Sequence, residues 1–218
     1  MAKQTNITCE EARQMAKSRF YRERMKIAHR KDIPPECACE IFIQLSNDKS
    51  YQVRDAVGSN THIPPECACG IFRKLADDSN IIVRQAVGLN PALPEECACD
   101  LLNKLKEDNE LFVRCAVANN KNIPHECACD IFKKLKNDRA MFVRWGVAWN
   151  NHIPPECACE ILRELSDDED DYVRYGVAKN INIPKECACD IFKKLADDDE
   201  LYVREAVTKN KLYTELCG

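Results

Sequence analysis

A chain of 218 residues with a net charge of −4 has no global positive field to recruit nucleic acid. No apolar run is long enough to cross a membrane, and the amino terminus, MAKQTNITCEEARQ, shows no apolar signal segment. Fifteen cysteines are many for this length, and they point to metal in a reducing compartment or to disulfides in an oxidising one.

In chain order, residues 3–32 read as a degenerate amino-terminal cap repeat. Six full copies of a 30-residue repeat follow, at 33–62, 63–92, 93–122, 123–152, 153–182 and 183–212, and 213–218 form a carboxy-terminal cap. The whole chain, 1–218, reads as a single domain, because a repeat array is one continuous stack. With Ile33 as position 1, each copy predicts two helices. Helix A opens at Pro34, where a missing N–H costs nothing, and ends near Leu45. Glu36 complements its dipole, and Ala38, Ile41, Phe42 and Leu45 form its apolar stripe. Helix B covers about 51–59, with Val53, Ala56 and Val57 toward the core. Asn60 is expected to close it in the left-handed conformation. One such pair cannot bury its own apolar face, so the pairs must stack.

The strings VRDAVGSN, VRQAVGLNP, VRCAVANN, VRWGVAWN, VRYGVAKN and VREAVTKN resemble the signature of the leucine-rich repeat variant family, and the two-helix unit is similar to HEAT repeats. The repeat is longer than the usual variant unit, which favours two α-helices over an alternating α/3₁₀ form. The expected fold is therefore all-α, a right-handed superhelical α-solenoid. Asp48 and Arg54, with their equivalents at positions 16 and 22, look like the Asp–Arg ladder that hydrogen-bonds one HEAT repeat to the next. The resemblance implies a binding scaffold of unspecified partner.

Every copy carries Cys-Ala-Cys. On a helix, residues two apart point about 200° apart, so Cys37 and Cys39 lie on opposite flanks of the core stripe. One flank faces the previous repeat and the other the next. With helix axes roughly 8–10 Å apart, facing Cα atoms fall on the order of 5–6 Å apart, a disulfide span. The caps agree with this rule. Cys9 occupies the forward-facing position of the first cap, and Cys217 the backward-facing position of the last. The expected bonds are Cys9–Cys37, Cys39–Cys67, Cys69–Cys97, Cys99–Cys127, Cys129–Cys157, Cys159–Cys187 and Cys189–Cys217, with Cys115 free. Two other readings stay open: a row of reduced, buried cysteines, and metal or an iron–sulfur cluster on the CxC ladder. Disulfides would favour an oxidising compartment, extracellular or periplasmic, although no signal peptide is visible.

Function should lie where the copies differ. Position 23 holds Asp55, Gln85, Cys115, Trp145, Tyr175 and Glu205; position 27 holds Ser59, Leu89, Asn119, Trp149, Lys179 and Lys209. Four apart on helix B, these positions share one face, which in a HEAT-like fold lines the concave surface. Trp145, Trp149 and Tyr175 should cluster there, with His152 nearby, as anchors for a protein or peptide. No phosphate loop, GxSxG, HExxH or EF-hand loop is present, so a non-catalytic role without cofactor or metal is expected. A basic row at positions 11 and 12 (Arg73, Lys74, Lys104, Lys133, Lys134, Arg163, Lys193, Lys194) raises nucleic-acid backbone binding as an alternative. Position 12 lies four before the invariant Asp, so salt bridges along the helix are the expected explanation.

Overall fold

In the computed structural model, which describes residues 7–217, those residues form fifteen α-helices and no strand. Residues 3–6 of the cap and Gly218 lie outside the described residues. The helices group into two compact units that divide after Leu105. The first holds α1 (Cys9–Ala16), α2 (Tyr21–Ala28), α3 (Pro35–Leu45), α4 (Tyr51–Gly58), α5 (Pro65–Leu75), α6 (Ile81–Leu89) and α7 (Glu95–Leu105). The second holds α8 (Leu111–Ala118), α9 (His125–Leu135), α10 (Met141–Trp149), α11 (Pro155–Leu165), α12 (Asp171–Lys179), α13 (Lys185–Ala196), α14 (Leu201–Thr208) and α15 (Lys211–Leu216).

Each unit is a repeated helical array. Helix A packs on helix A of the neighbouring copy (α1, α3, α5, α7; then α9, α11, α13, α15), and helix B on helix B (α2, α4, α6; then α8, α10, α12, α14). The apolar stripes meet between the two layers: Ile41, Phe42, Leu45, Val53 and Val57 are all buried, as are their equivalents Ile131, Phe132, Leu135, Val143 and Val147. Removing these stripes from water drives the stacking, since no helix pair can cover its own.

Helix A begins one residue later than expected. Pro34 stands outside as the N-cap, at φ −55° and ψ 133°, and Pro35 takes the first turn. The Pro34 carbonyl accepts from the N–H groups of Cys37 and Ala38. Proline pre-sets this extended entry, and the start is the same where position 3 is His125 or Lys185.

The invariant asparagine corrects the sequence reading more deeply. No described non-glycine residue has a positive φ, and Asn90, Asn150 and Asn180 close their helices in extended conformation. The side chain does the work instead. Asn60 Nδ2 donates to the carbonyls of Ala28 (2.7 Å) and Arg30 (2.9 Å), one repeat earlier. Asn150 does the same to Ala118 and Asn120, and Asn210 to Ala178 and Asn180. Each Oδ1 accepts the backbone N–H two residues on, at His62, His152 and Leu212. The buried amide is thereby satisfied on both ends, and it stitches helix-B termini together.

A second ladder runs through arginine. Arg54 sends Nε and Nη2 to Asp78 of the next repeat (2.5 and 2.8 Å) and Nη1 to the Asp48 carbonyl of its own (2.7 Å). Arg24–Asp48, Arg114–Asp138, Arg144–Asp168 and Arg174–Asp198 repeat this fork. A planar guanidinium on a carboxylate is bidentate, so it fixes orientation as well as distance.

Candidate functional site

The helix-A layer is cross-linked. Cα atoms lie 5.9 Å apart in Cys9–Cys37, 5.8 Å in Cys39–Cys67 and 5.9 Å in Cys69–Cys97. In the second unit they lie 5.9 Å apart in Cys129–Cys157, 5.8 Å in Cys159–Cys187 and 5.4 Å in Cys189–Cys217. These are the spans and partners that helix geometry predicts. The remaining expected pair, Cys99–Cys127, takes one cysteine from each unit. A disulfide sulfur offers no thiolate, so the metal-ladder and reduced-ladder readings do not describe these twelve cysteines. Cys115 is a free thiol, half-buried on α8. Burial first, and then Asp138, push it up to about 11, against the opposing pull of Arg114.

The outer face of the helix-A layer is wet and charge-paired, but not as the i,i+4 spacing suggests. The invariant Asp is committed to the arginine fork. Position 12 instead reaches back one repeat, as Lys104–Asp77, Lys134–Glu107 (3.2 Å) and Lys194–Asp167. Position 11 reaches forward, as Arg13–Glu40 (2.9 Å), Lys133–Glu160 (2.8 Å) and Arg163–Asp190 (3.7 Å).

On the helix-B layer of the first unit, Asp55 and Gln85 are half-buried. Burial pushes the Asp55 carboxyl up, while His29 and the Ser59 hydroxyl act against it. The second unit carries the aromatic residues. Trp145 and Trp149 on α10 have ring centroids 5.7 Å apart, and Trp149 stacks on Tyr175 of α12 at 6.4 Å. The row continues beyond the expected trio. Tyr175 meets Tyr202 of α14 at 5.5 Å, and Tyr202 meets Tyr172 at 6.0 Å. Five rings on three successive helices thus form one surface. Around it, Asn119 donates Nδ2 to the Cys115 carbonyl, and Glu205 pairs with Lys209 at 2.9 Å. Lys179 is half-buried at the end of α12, and His152 is exposed beyond the end of α10.

Sequence reasoning missed position 20. Phe112 (55% exposed), Phe142 (58%) and Tyr172 (58%) stand there, with Tyr202 in the last copy. The signal was available. Position 20 is apolar or aromatic in five of the six copies, Ile82 included, and lies three residues before position 23, hence on the same helix face. Exposed large aromatics repeated at one register are not the scatter of an ordinary surface.

No family model matches the chain, and the search of curated proteins returns no match. Among solved structures, the chain is similar to one described as a leucine-rich repeat variant with a novel repetitive protein structural motif. Identity is 23%, 93% of this chain and 71% of that one are covered, and the TM-score is 0.59. It is also similar to the X-ray structure of YibA from Escherichia coli, at 14% identity, with 94% and 93% covered and a TM-score of 0.53. These likenesses show the fold, a repeat solenoid.

Proposed function

We propose that the chain is a non-catalytic scaffold that binds a protein or peptide through the helix-B face of its second unit, centred on Trp145, Trp149 and Tyr175. The observation that carries this reading is the row of five touching rings, part-exposed, on a frame otherwise built from identical positions. Aromatic side chains supply large contact area at low entropic cost and dominate interface energetics. The frame explains how such a face stays in register. Disulfides hold one layer, and within each unit the asparagine and arginine ladders bind neighbouring repeats. Pairing of the basic row with carboxylates supports a protein partner over a nucleic acid. The disulfides are compatible with an oxidising compartment, extracellular or periplasmic. No described helix is long and apolar enough to cross a membrane.

The test uses peptides selected on the native protein from a displayed random library. Trp145→Ala with Trp149→Ala should weaken their binding at least about tenfold while helical circular dichroism is unchanged. Equal binding by the double variant would overturn the reading. The two tryptophans are the only ones in the chain, so its indole emission reports on this face directly.

A further inference from the structure

We infer that the occupant of this face is an arginine-bearing peptide, whose guanidinium lies on the tyrosine end of the aromatic row beside Asp171 and Glu200. The inference rests on the binding reading above and adds the chemistry of the partner.

The two ends of the row differ in charge. At the amino-terminal ends of α12 and α14 stand Glu169, Asp170, Asp171, Asp199 and Glu200, around Tyr172 and Tyr202. The arginines near that end are engaged, and Arg204 among them donates Nη1 to the carbonyls of Asp198 and Asp199. Arg174 sends its fork to Asp198 and its remaining nitrogen to the carbonyls of Asp168 and Glu169. Arg144 is held by Asp168 and lies 3.6 Å from Glu169 as well. At the opposite ends of these helices stand Lys179 and Lys209, the latter paired with Glu205. With Arg144, Arg174 and Arg204 set against Asp168, Glu169, Asp170, Asp171, Asp198, Asp199 and Glu200, carboxylates outnumber cations at the tyrosine end.

Local geometry sharpens this. Tyr202 Oη is buried without a hydrogen bond of normal geometry. Burial first, and then the neighbouring Asp171 carboxylate, push its phenol up, with Tyr172 and Glu200 adding to the effect. The Tyr172 and Tyr202 rings, neutral as any phenol is near pH 7, are π surfaces in the negative field of Asp171 and Glu200. Cations are drawn to such a face twice, by the ring quadrupole and by the carboxylates. Touching rings 5.5–6.0 Å apart leave no slot between them, so the cation lies on the exposed face of Tyr172 rather than inside a cage. A planar guanidinium suits that placement better than an ammonium, because it stacks on a ring while its edge donates to carboxylate oxygens. The exposed rings of Phe112 and Phe142 continue the same register on α8 and α10 and give apolar neighbours of the arginine a place to lie.

The experiment titrates the full chain with three peptides of equal length in 150 mM salt, a value near physiological ionic strength. One carries arginine between aromatic residues, one replaces arginine by neutral citrulline, and one replaces it by glutamate. Binding is read by calorimetry and by indole emission. The inference expects the arginine peptide to bind at least about tenfold more tightly than the citrulline peptide, an advantage lost in Asp171→Asn with Glu200→Gln. Equal binding of arginine and citrulline peptides, still lost in the tryptophan double variant, would overturn this inference and leave the scaffold reading standing. Arginine binding unchanged in both double variants would overturn both. Preference for the glutamate peptide would overturn the inference outright.

Discussion

Trp145 lies against Gly176 of the next helix B. A Cβ built on Gly176 would stand 3.3 Å from the indole Cδ1 and 3.0 Å from Ala148 Cβ. The other copies outside this aromatic pair hold alanine at that position, at Ala56, Ala86, Ala116 and Ala206, and the two aromatic copies hold Gly146 and Gly176. The glycine makes room for the ring. Gly176→Ala should cost about 1–3 kcal/mol by overpacking and shift the indole emission. Gly70→Ala, whose Cβ would meet nothing within 4 Å, is the control. It should instead stabilise by about 0.5–1 kcal/mol through helix propensity. Urea titration followed by fluorescence and circular dichroism checks both.

The asparagine ladder is the most exposed to single substitution. Asn150→Ala leaves the buried carbonyls of Ala118 and Asn120 without their donor. The expected loss is about 2–4 kcal/mol, since each orphaned group costs its desolvation. Asn150→Asp should be worse at neutral pH, because a buried carboxylate would face two carbonyl oxygens. Denaturant midpoints at pH 7 measure both. An alanine variant within about 0.5 kcal/mol of the parent would remove the ladder from the account.

Acid should unravel the arginine ladder. At Asp48, Asp78, Asp138 and Asp198 burial opposes ionisation, but the arginine fork and a backbone N–H outweigh it and hold the carboxyl below its usual range. A carboxylate depressed on folding adds stability above its unfolded pKa of about 3.9, and that stability is lost as pH falls through the folded value. Thermal midpoints should be flat from pH 7 to about 5 and fall steeply below about 4. Asp55 has the opposite sign. Its carboxyl is pushed up, so charging it at neutral pH weakens the fold. Asp55→Asn should raise the midpoint at pH 7 and do nothing at low pH.

Much of this was legible in one sequence, for physical reasons. The cysteine pairs followed from a fixed helical angle and a fixed interaxial distance, which leave little freedom. The Trp145–Trp149–Tyr175 cluster followed from i,i+4 spacing and repeat register. What escaped were choices between equivalent partners. The Asp–Arg ladder is present as the resemblance implies, so the position-12 lysines cannot have the invariant Asp four residues on and pair instead with carboxylates of the previous repeat. Asn60 could cap its own helix or bridge back, and its burial between repeats decides. The position-20 residues directly precede the buried Val53-type residues in the chain, and the helix turns Phe112, Phe142 and Tyr172 outward.

The entropic contribution of a disulfide grows with the logarithm of the loop it closes, and these six cross-links close loops of one separation, 28 residues. Cys39→Ser with Cys67→Ser opens a cross-link of 28-residue separation. The chain-entropy model gives about 3–4 kcal/mol for such a loop. The thermal midpoint of the double variant should fall clearly, while Cys9→Ser with Cys37→Ser should fray only the amino-terminal repeat. Hydrogen exchange distinguishes the two, with protection lost locally in the second case.

The account stands on Cys-Ala-Cys being a connector between repeats, and peptide mapping of unreduced, thiol-blocked protein tests that most directly. The expected fragments join Cys39 to Cys67 and Cys159 to Cys187, with their equivalents. Alkylation is expected at Cys115 alone, slowed in the folded protein by its half-burial and raised pKa. Fragments joining Cys37 to Cys39 within one motif, or alkylation of every cysteine in protein prepared under oxidising conditions, would contradict it.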